Sequence, residues 1–431
     1  MLWIVFAVQS NALLAQQSQT DLAQLQKYLR SGQYQEAEAG FRNLATRNGG
    51  SADVLDGLAT ALQMQGRTNE AIPVFERTLK LKRLPDAVAS LAVDYCRNHQ
   101  FDHADPLLKE AGAFLDDLNF AAMLGPCYLE ANQPEIAVTV YERLVAAGIS
   151  PRDENTANLV RSYFDLSQKA LQQLIAAPEA QNYAHVITEA QKDGSYDATA
   201  LFSQAYRAAT YLRPEMSVSD LASLLGTHSG DVALLYLLSV RAAEQAQDLF
   251  DHIQQQWPDS VPTGELIAEF KDASGDRDGA IHEYEQLQTE HPDAPAAMHF
   301  ALGLLYAERL RWQDALAQYR IASPDGKGGL YITQRISECL LRTGEDKALE
   351  RLLRDVVQGE DAPFWALRDY GEAEENQANA SAALKYLIKA SALEPADASI
   401  HYRLFQLYKE LSQKDAAARE MALFHQLRTK Q

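Results

Sequence analysis

The chain has 431 residues, with 59 acidic against 39 basic side chains and a formal charge of −20. Such a surface repels a phosphate backbone, and no block of Lys and Arg is present to seek an anionic membrane face, so neither nucleic acid nor a lipid surface is an expected partner. Only 22 Gly and 15 Pro interrupt Ala, Leu, Gln, Glu and Arg recurring at three- and four-residue spacing, which predicts an almost wholly helical protein.

In chain order, the first segment is MLWIVFAVQSNALLAQQSQT, which carries no charge. Its apolar run, Leu2 to Val8, is followed by the small-x-small pattern Ser10-Asn11-Ala12, so residues 1–17 read as a secretion signal and imply a periplasmic or secreted protein. The segment departs from the usual pattern in having no basic residue near Met1; if it is not a signal, the chain is cytoplasmic. The run is well short of the roughly 18 residues a membrane span needs, and no integral span is expected.

From there to the C-terminus one unit is copied. Ala246, Ala280, Ala315, Ala383 and Ala417 recur at 34 or 35 residues or twice that, and four residues beyond them stand Phe250, Tyr284, Tyr319, Leu387 and Met421. The same phase runs through Gly32, Ala37 and Phe41, then Gly66, Ala71 and Phe75, then Ala104 with Leu108 and Ala137 with Tyr141. Two antiparallel helices approach closely only where side chains are small, so Gly125, Gly303 and Gly371 are expected at helix crossings with a bulky neighbour in the gap. Gly275 and Gly344 fall where two helices would join, and Pro258, Pro292 and Pro395 near the ends of their units.

These residues resemble the tetratricopeptide repeat, and the stretches AAMHFALGLLYAERLRWQDALAQYR and SIHYRLFQLYKELSQKDAAAREMALFHQL are similar to large exported bacterial proteins of that family. The resemblance implies an all-α fold, an α-solenoid of about 11–12 antiparallel helix-pair repeats forming a right-handed superhelix. Unit starts fall at 18, 52, 85, 118, 151 and 180, then at 227, 261, 296, 330, 364 and 398. The period therefore places an N-terminal array over 18–213, an irregular joint over 214–226 and a C-terminal array over 227–431. LLYLLSVRAAEQAQDLFDHIQQQ has no Gly or Pro, so the two helices of unit 227 either run together or turn tightly.

Chemical motifs are weak. SGDRDGAIHEYE, residues 274–285, offers Ser274, Asp276, Asp278, Gly279 and Glu285 at the places of a calcium loop, but a Ser stands where a carboxylate is wanted and the repeat predicts a turn there, so calcium binding is kept as a lesser alternative. His99 and His103 have zinc-ligand spacing but straddle a predicted turn; Gly326-Lys327-Gly328-Gly329 lacks the phosphate-loop frame. Cys96 and Cys127 lie about one repeat apart, either as buried thiols or as a bridge, and no cofactor or metal is expected.

The resemblance further implies that the first helix of each repeat lines a concave groove. On that footing the last four repeats present Phe300, Leu304, Tyr331, Gln334, Glu338, Trp365, Arg368, Glu372, Tyr402, Gln406 and Lys409, with Arg403 adjacent. Aromatic groups among Arg and Gln suit a protein or peptide partner, or else merely pack between repeats. Early positions hold Asp53, Asp56 and Thr60 instead of a Lys and Asn clamp for a terminal carboxylate, which argues against a co-chaperone. The expected function is a non-enzymatic scaffold; an enzyme with a site concealed in the irregular region 178–245 is the alternative.

Overall fold

The computed structural model describes residues 21–48, 50–177, 216–228, 231–324, 328–359 and 362–429. No strand occurs among them. Two compact units divide the chain: one runs to Leu287 apart from Gly66–Asn69, and the other takes Gln288 onward together with Gly66–Asn69.

In the first unit a helix over 21–30 (α1) leads into α2 (Tyr34–Asn48), α3 (Ala52–Met64), α4 (Thr68–Leu81), α5 (Pro85–Arg97), α6 (Phe101–Ala111), α7 (Leu118–Glu130) and α8 (Pro134–Ala146). The periodic alanines are its buried seams: Ala37, Ala71, Ala104 and Ala137 have no exposed surface, and Phe41, Phe75, Leu108 and Tyr141 are buried beside them. A methyl group carries too little bulk to hold two backbones apart, so each Ala marks a close approach and the large residue one turn on fills the flanking space. Cys96 on α5 and Cys127 on α7 form a disulfide with Cα atoms 5.7 Å apart, so the bridge reading holds and the separate buried thiols do not.

The period breaks at α9 (Arg152–Ala176), one helix of 25 residues where the unit starting at 151 was expected to be a helix pair. Its sequence contains no Gly or Pro, and Leu159, Val160, Tyr163, Leu166, Ala170, Leu171 and Leu174 keep helical spacing on one buried side. That side packs along α11 (Val232–Gln256), the uninterrupted helix of unit 227, after the short α10 (Val218–Thr227). The helix α10 occupies most of the segment expected to be an irregular joint; residues 214 and 215 lie outside the described residues. Helices α12 (Val261–Ala273) and α13 (Arg277–Glu290) follow; a Cβ on Gly264 would stand 2.4 Å from Leu287 of α13, the small-against-large crossing again.

The second unit stacks α14 (Ala296–Glu308), α15 (Trp312–Ala322), α16 (Leu330–Thr343), α17 (Asp346–Leu353), α18 (Phe364–Asn376), α19 (Ala380–Leu393), α20 (Ala398–Glu410) and α21 (Lys414–Arg428). Each packs on the next, and α16 also meets α18, which sets first helices side by side. Gly303 faces Tyr319 and Gly371 faces Leu387, as Gly125 faces Tyr141 in the first unit. The inter-helix turn reaches positive φ every 34 residues, at Leu310 (59°), Gly344 (73°), Ala378 (62°) and Ser412 (60°). At Gly344 the amides of Gly344 and Glu345 donate to Leu341 O and Leu340 O at 3.2 and 2.9 Å, closing the helix end.

Candidate functional site

The first helices of three successive repeats in the second unit enclose a groove of about 590 Å³. From α16 come Gln334, Arg335, Glu338, Leu341 and Arg342, which share one helical face. Arg368, Asp369 and Glu372 come from α18, and Ser399 and Arg403 from α20. The register is that of the repeat: Arg335, Asp369 and Arg403 stand 34 residues apart, as do Gln334 with Arg368 and Glu338 with Glu372.

Carboxylates hold most of the guanidinium groups in place. Asp369 is buried; its Oδ1 accepts from Nε and Nη2 of Arg368 at 2.9 and 2.8 Å, and its Oδ2 accepts from Ser337 Oγ at 2.9 Å. Burial pushes the Asp369 carboxyl upward from its ordinary pKa, against the opposing pull of Arg368. Arg403 bridges Glu372 at 2.8 Å and Glu375 at 2.9 Å, while Arg335 reaches Glu338 at 3.1 Å with its guanidinium over the Tyr331 ring. Arg342 differs: it lies over the Trp312 ring and has no carboxylate partner among the described residues.

The structure thus brings Gln334, Glu338, Arg368, Glu372 and Arg403 together in the groove. The aromatic candidates do not line it. Phe300 stacks on Tyr319 and Tyr331 at 5.4 and 5.6 Å, so Tyr331 is half-buried against a helix neighbour. Leu304 and Trp365 are also half-buried. Tyr402 is 39% exposed and packs on Phe405 and Phe424, and Gln406 and Lys409 are exposed. Sequence reading missed Arg335, Leu341, Arg342, Asp369 and Ser399; the signal was present in the 34-residue spacing of Arg335, Asp369 and Arg403.

Other titratable clusters have structural explanations. The calcium-loop alternative meets a helix: residues 277–285 belong to α13, Gly275 turns at φ 89°, and Asp276 Oδ1 accepts from the Gly279 amide at 3.0 Å. Asp278 and Glu285 are two helical turns apart, about 10 Å along the axis, which is too far to share one ion. His99 sits in the turn at φ 53° beside Phe101, and His103 stacks on Tyr95. Gly326 and Lys327 lie outside the described residues, as do 178–215 and 229–230 of the region proposed to conceal an enzyme site. The buried His401 has both ring nitrogens engaged, by Glu420 Oε2 at 2.7 Å and Pro395 O at 3.0 Å. In the first unit Arg161 joins α9 to α12 through Glu269, with Nε and Nη2 both at 2.8 Å, and approaches Glu265 at 3.5 Å. Burial raises Glu265 to about 7 and Asp165 to about 6. Asp56 rises to about 6 through burial and the neighbouring Asp86 and Asp53. Among the described residues no group of three or more His, Cys, Asp or Glu is placed to hold a metal ion, and no helix is long and apolar enough to cross a membrane.

Helix pairs repeating every 34 residues, with a groove on their first helices, define an α-helical repeat protein. Residues 22–90 and 271–327 match the family model described as tetratricopeptide repeat. No curated protein matches it in sequence. Among solved structures, "MamA 41-end from Desulfovibrio magneticus RS-1" is 18% identical, with 39% of this chain and 94% of that one covered and a TM-score of 0.35. YrrB, described as "a TPR protein with an unusual peptide-binding site", is 14% identical over 41% of this chain and 91% of its own at a TM-score of 0.36. Yeast Tom70 is 12% identical over 96% and 92% at 0.30. Similarity at this level says nothing of what the chain binds.

Proposed function

We propose that the chain is a non-enzymatic scaffold that holds a peptide or protein partner in the groove formed by α16, α18 and α20. The observation that carries this reading is the alignment of repeat-equivalent polar side chains from three helices around one concavity, with their guanidinium groups oriented in advance by carboxylates. Side chains already fixed lose little further rotamer freedom when a partner binds, which favours affinity. Stacked helix pairs also supply an extended concave surface that a single globular core does not.

The test is affinity capture with the natural chain beside Gln334→Trp, which fills the groove, and the double variant Trp365→Ala, Tyr402→Ala. A partner retained by the natural chain and lost on filling the groove supports the reading; equal capture by all three removes it. Export to the periplasm or cell exterior belongs to the same proposal. It is supported by the uncharged N-terminal run and by the Cys96–Cys127 bridge, since structural disulfides persist in oxidising compartments. Fusion of residues 1–40 to a reporter active only outside the cytoplasm tests it; an inactive reporter places the chain in the cytoplasm.

A further inference from the structure

We propose that the occupant of the groove is an acidic peptide segment of a partner protein, received by the guanidinium groups of Arg335, Arg342, Arg368 and Arg403. The inference rests on the groove reading above and adds the chemistry of what enters. Four arginines and three carboxylates, Glu338, Asp369 and Glu372, line this one concavity, so in a chain whose formal charge is −20 the groove wall carries a small excess of positive charge. A guanidinium carries five N–H donors, and the internal contacts use only part of them. Arg368 spends Nε and Nη2 on Asp369 and keeps its Nη1 donors; Arg335 reaches Glu338 through Nη1. The Arg335 Nε is buried with no partner.

Arg342 is the guanidinium best placed to donate to a carboxylate. It is exposed at the groove edge, supported from one side by the Trp312 ring at 5.6 Å, and makes no ion pair with a carboxylate among the described residues, since Glu338 one turn away is engaged by Arg335. Arg335 and Arg342 are seven residues apart on α16, two turns on one face, about 10 Å along the axis. Carboxylates on alternate residues of an extended chain share one face at about 7 Å spacing, and the long Glu and Arg side chains span the remaining few ångström, so an acidic stretch can meet both guanidiniums at once. Leu341 is the sole apolar side chain on the groove wall, which leaves little to hold a hydrophobic helix. A basic segment is disfavoured because it would have to displace Arg403 from Glu372 and Arg368 from Asp369.

The experiment measures fluorescence anisotropy of a short capped peptide of alternating Glu and Ala, with Gln and Lys counterparts, against the full chain. The expected result is that the Glu peptide binds more tightly than the Gln peptide. Its affinity should fall about tenfold in Arg342→Glu, corresponding to loss of one charged hydrogen bond, and fall again with added salt. Lys389→Glu, on an exposed position of α19, controls for added negative charge and should leave binding unchanged. Equal binding of Glu and Gln peptides, or equal effects of the two charge substitutions, overturns the inference. Lys-peptide binding that is lost in Gln334→Trp would also overturn it while leaving the groove reading intact. If no peptide binds and partner capture is indifferent to Gln334→Trp, both fall.

Discussion

Replacing Gly303 by Ala sets two known effects against each other. Gly is poorer than Ala in a helix interior by about 1 kcal/mol, so in an isolated helix the change stabilises α14. In the folded chain the new Cβ would lie 2.5 Å from Cε1 and 2.6 Å from Cδ1 of Tyr319, distances at which something must move. Tyr319 is fully buried, so its ring cannot swing into solvent, and overpacking of this kind costs about 1–3 kcal/mol. The crossing therefore wins or at least cancels the propensity, for a net loss of up to about 2 kcal/mol. Urea unfolding of Gly303→Ala, Tyr319→Leu and the double variant separates the terms. Alone, Tyr319→Leu loses buried ring contacts; combined with Gly303→Ala it makes room for the methyl, so the double variant should be more stable than the sum predicts by about 1 kcal/mol. A rise in midpoint for Gly303→Ala, or strict additivity, would refute the idea that this close approach shapes the repeat.

Leu310→Gly should stabilise the chain by about 0.5–1 kcal/mol, because a side chain at φ 59° is strained and this one is 69% exposed, so little burial is lost; a lower thermal midpoint would count against it. Removing the bridge with Cys96→Ser, Cys127→Ser should cost about 2–4 kcal/mol in urea unfolding and abolish any effect of reductant on the midpoint. Burial holds the Asp94 carboxyl up at about 7 against an ordinary 3.8, opposed by the hydrogen bond from Gln63. The folded state then binds the extra proton, so its contribution to stability is full below pH 4 and is lost as pH rises towards about 7. Asp94→Asn, which can still accept from Gln63, should flatten that decline and raise the midpoint at pH 8; an unchanged pH profile would show that Asp94 ionises normally. Arg161→Ala should destabilise by about 2 kcal/mol or more by stranding Glu269 and Glu265, and Glu265→Gln in that background should recover part of the loss.

The 34-residue phase was legible before any coordinates because every repeat meets the same steric demand. The small residue at a crossing and the large one four beyond it must recur wherever helix pairs stack, and Ala37 with Phe41 and Ala315 with Tyr319 obey it alike. The helix-ending turn was legible only where glycine occupies it, as at Gly32, Gly66, Gly275 and Gly344; Leu310, Ala378 and Ser412 adopt the same positive φ without any residue signal. Half of the groove could likewise be placed by counting, since first helices align in register.

Local sequence therefore determined the helices, their period and which small residues lie at contacts, all of which depend on side chains near in the chain or one repeat away. Tertiary structure decided the rest. The absence of Gly and Pro permits α9 and α11 to run unbroken, but that they do so along their full 25 residues follows from the buried face each offers the other, which no local window contains. That aromatic residues pack between helices while guanidiniums line the groove depends on which turn of each helix meets its neighbour. A shift of about 100° in helix phase exchanges those two faces without altering a single residue.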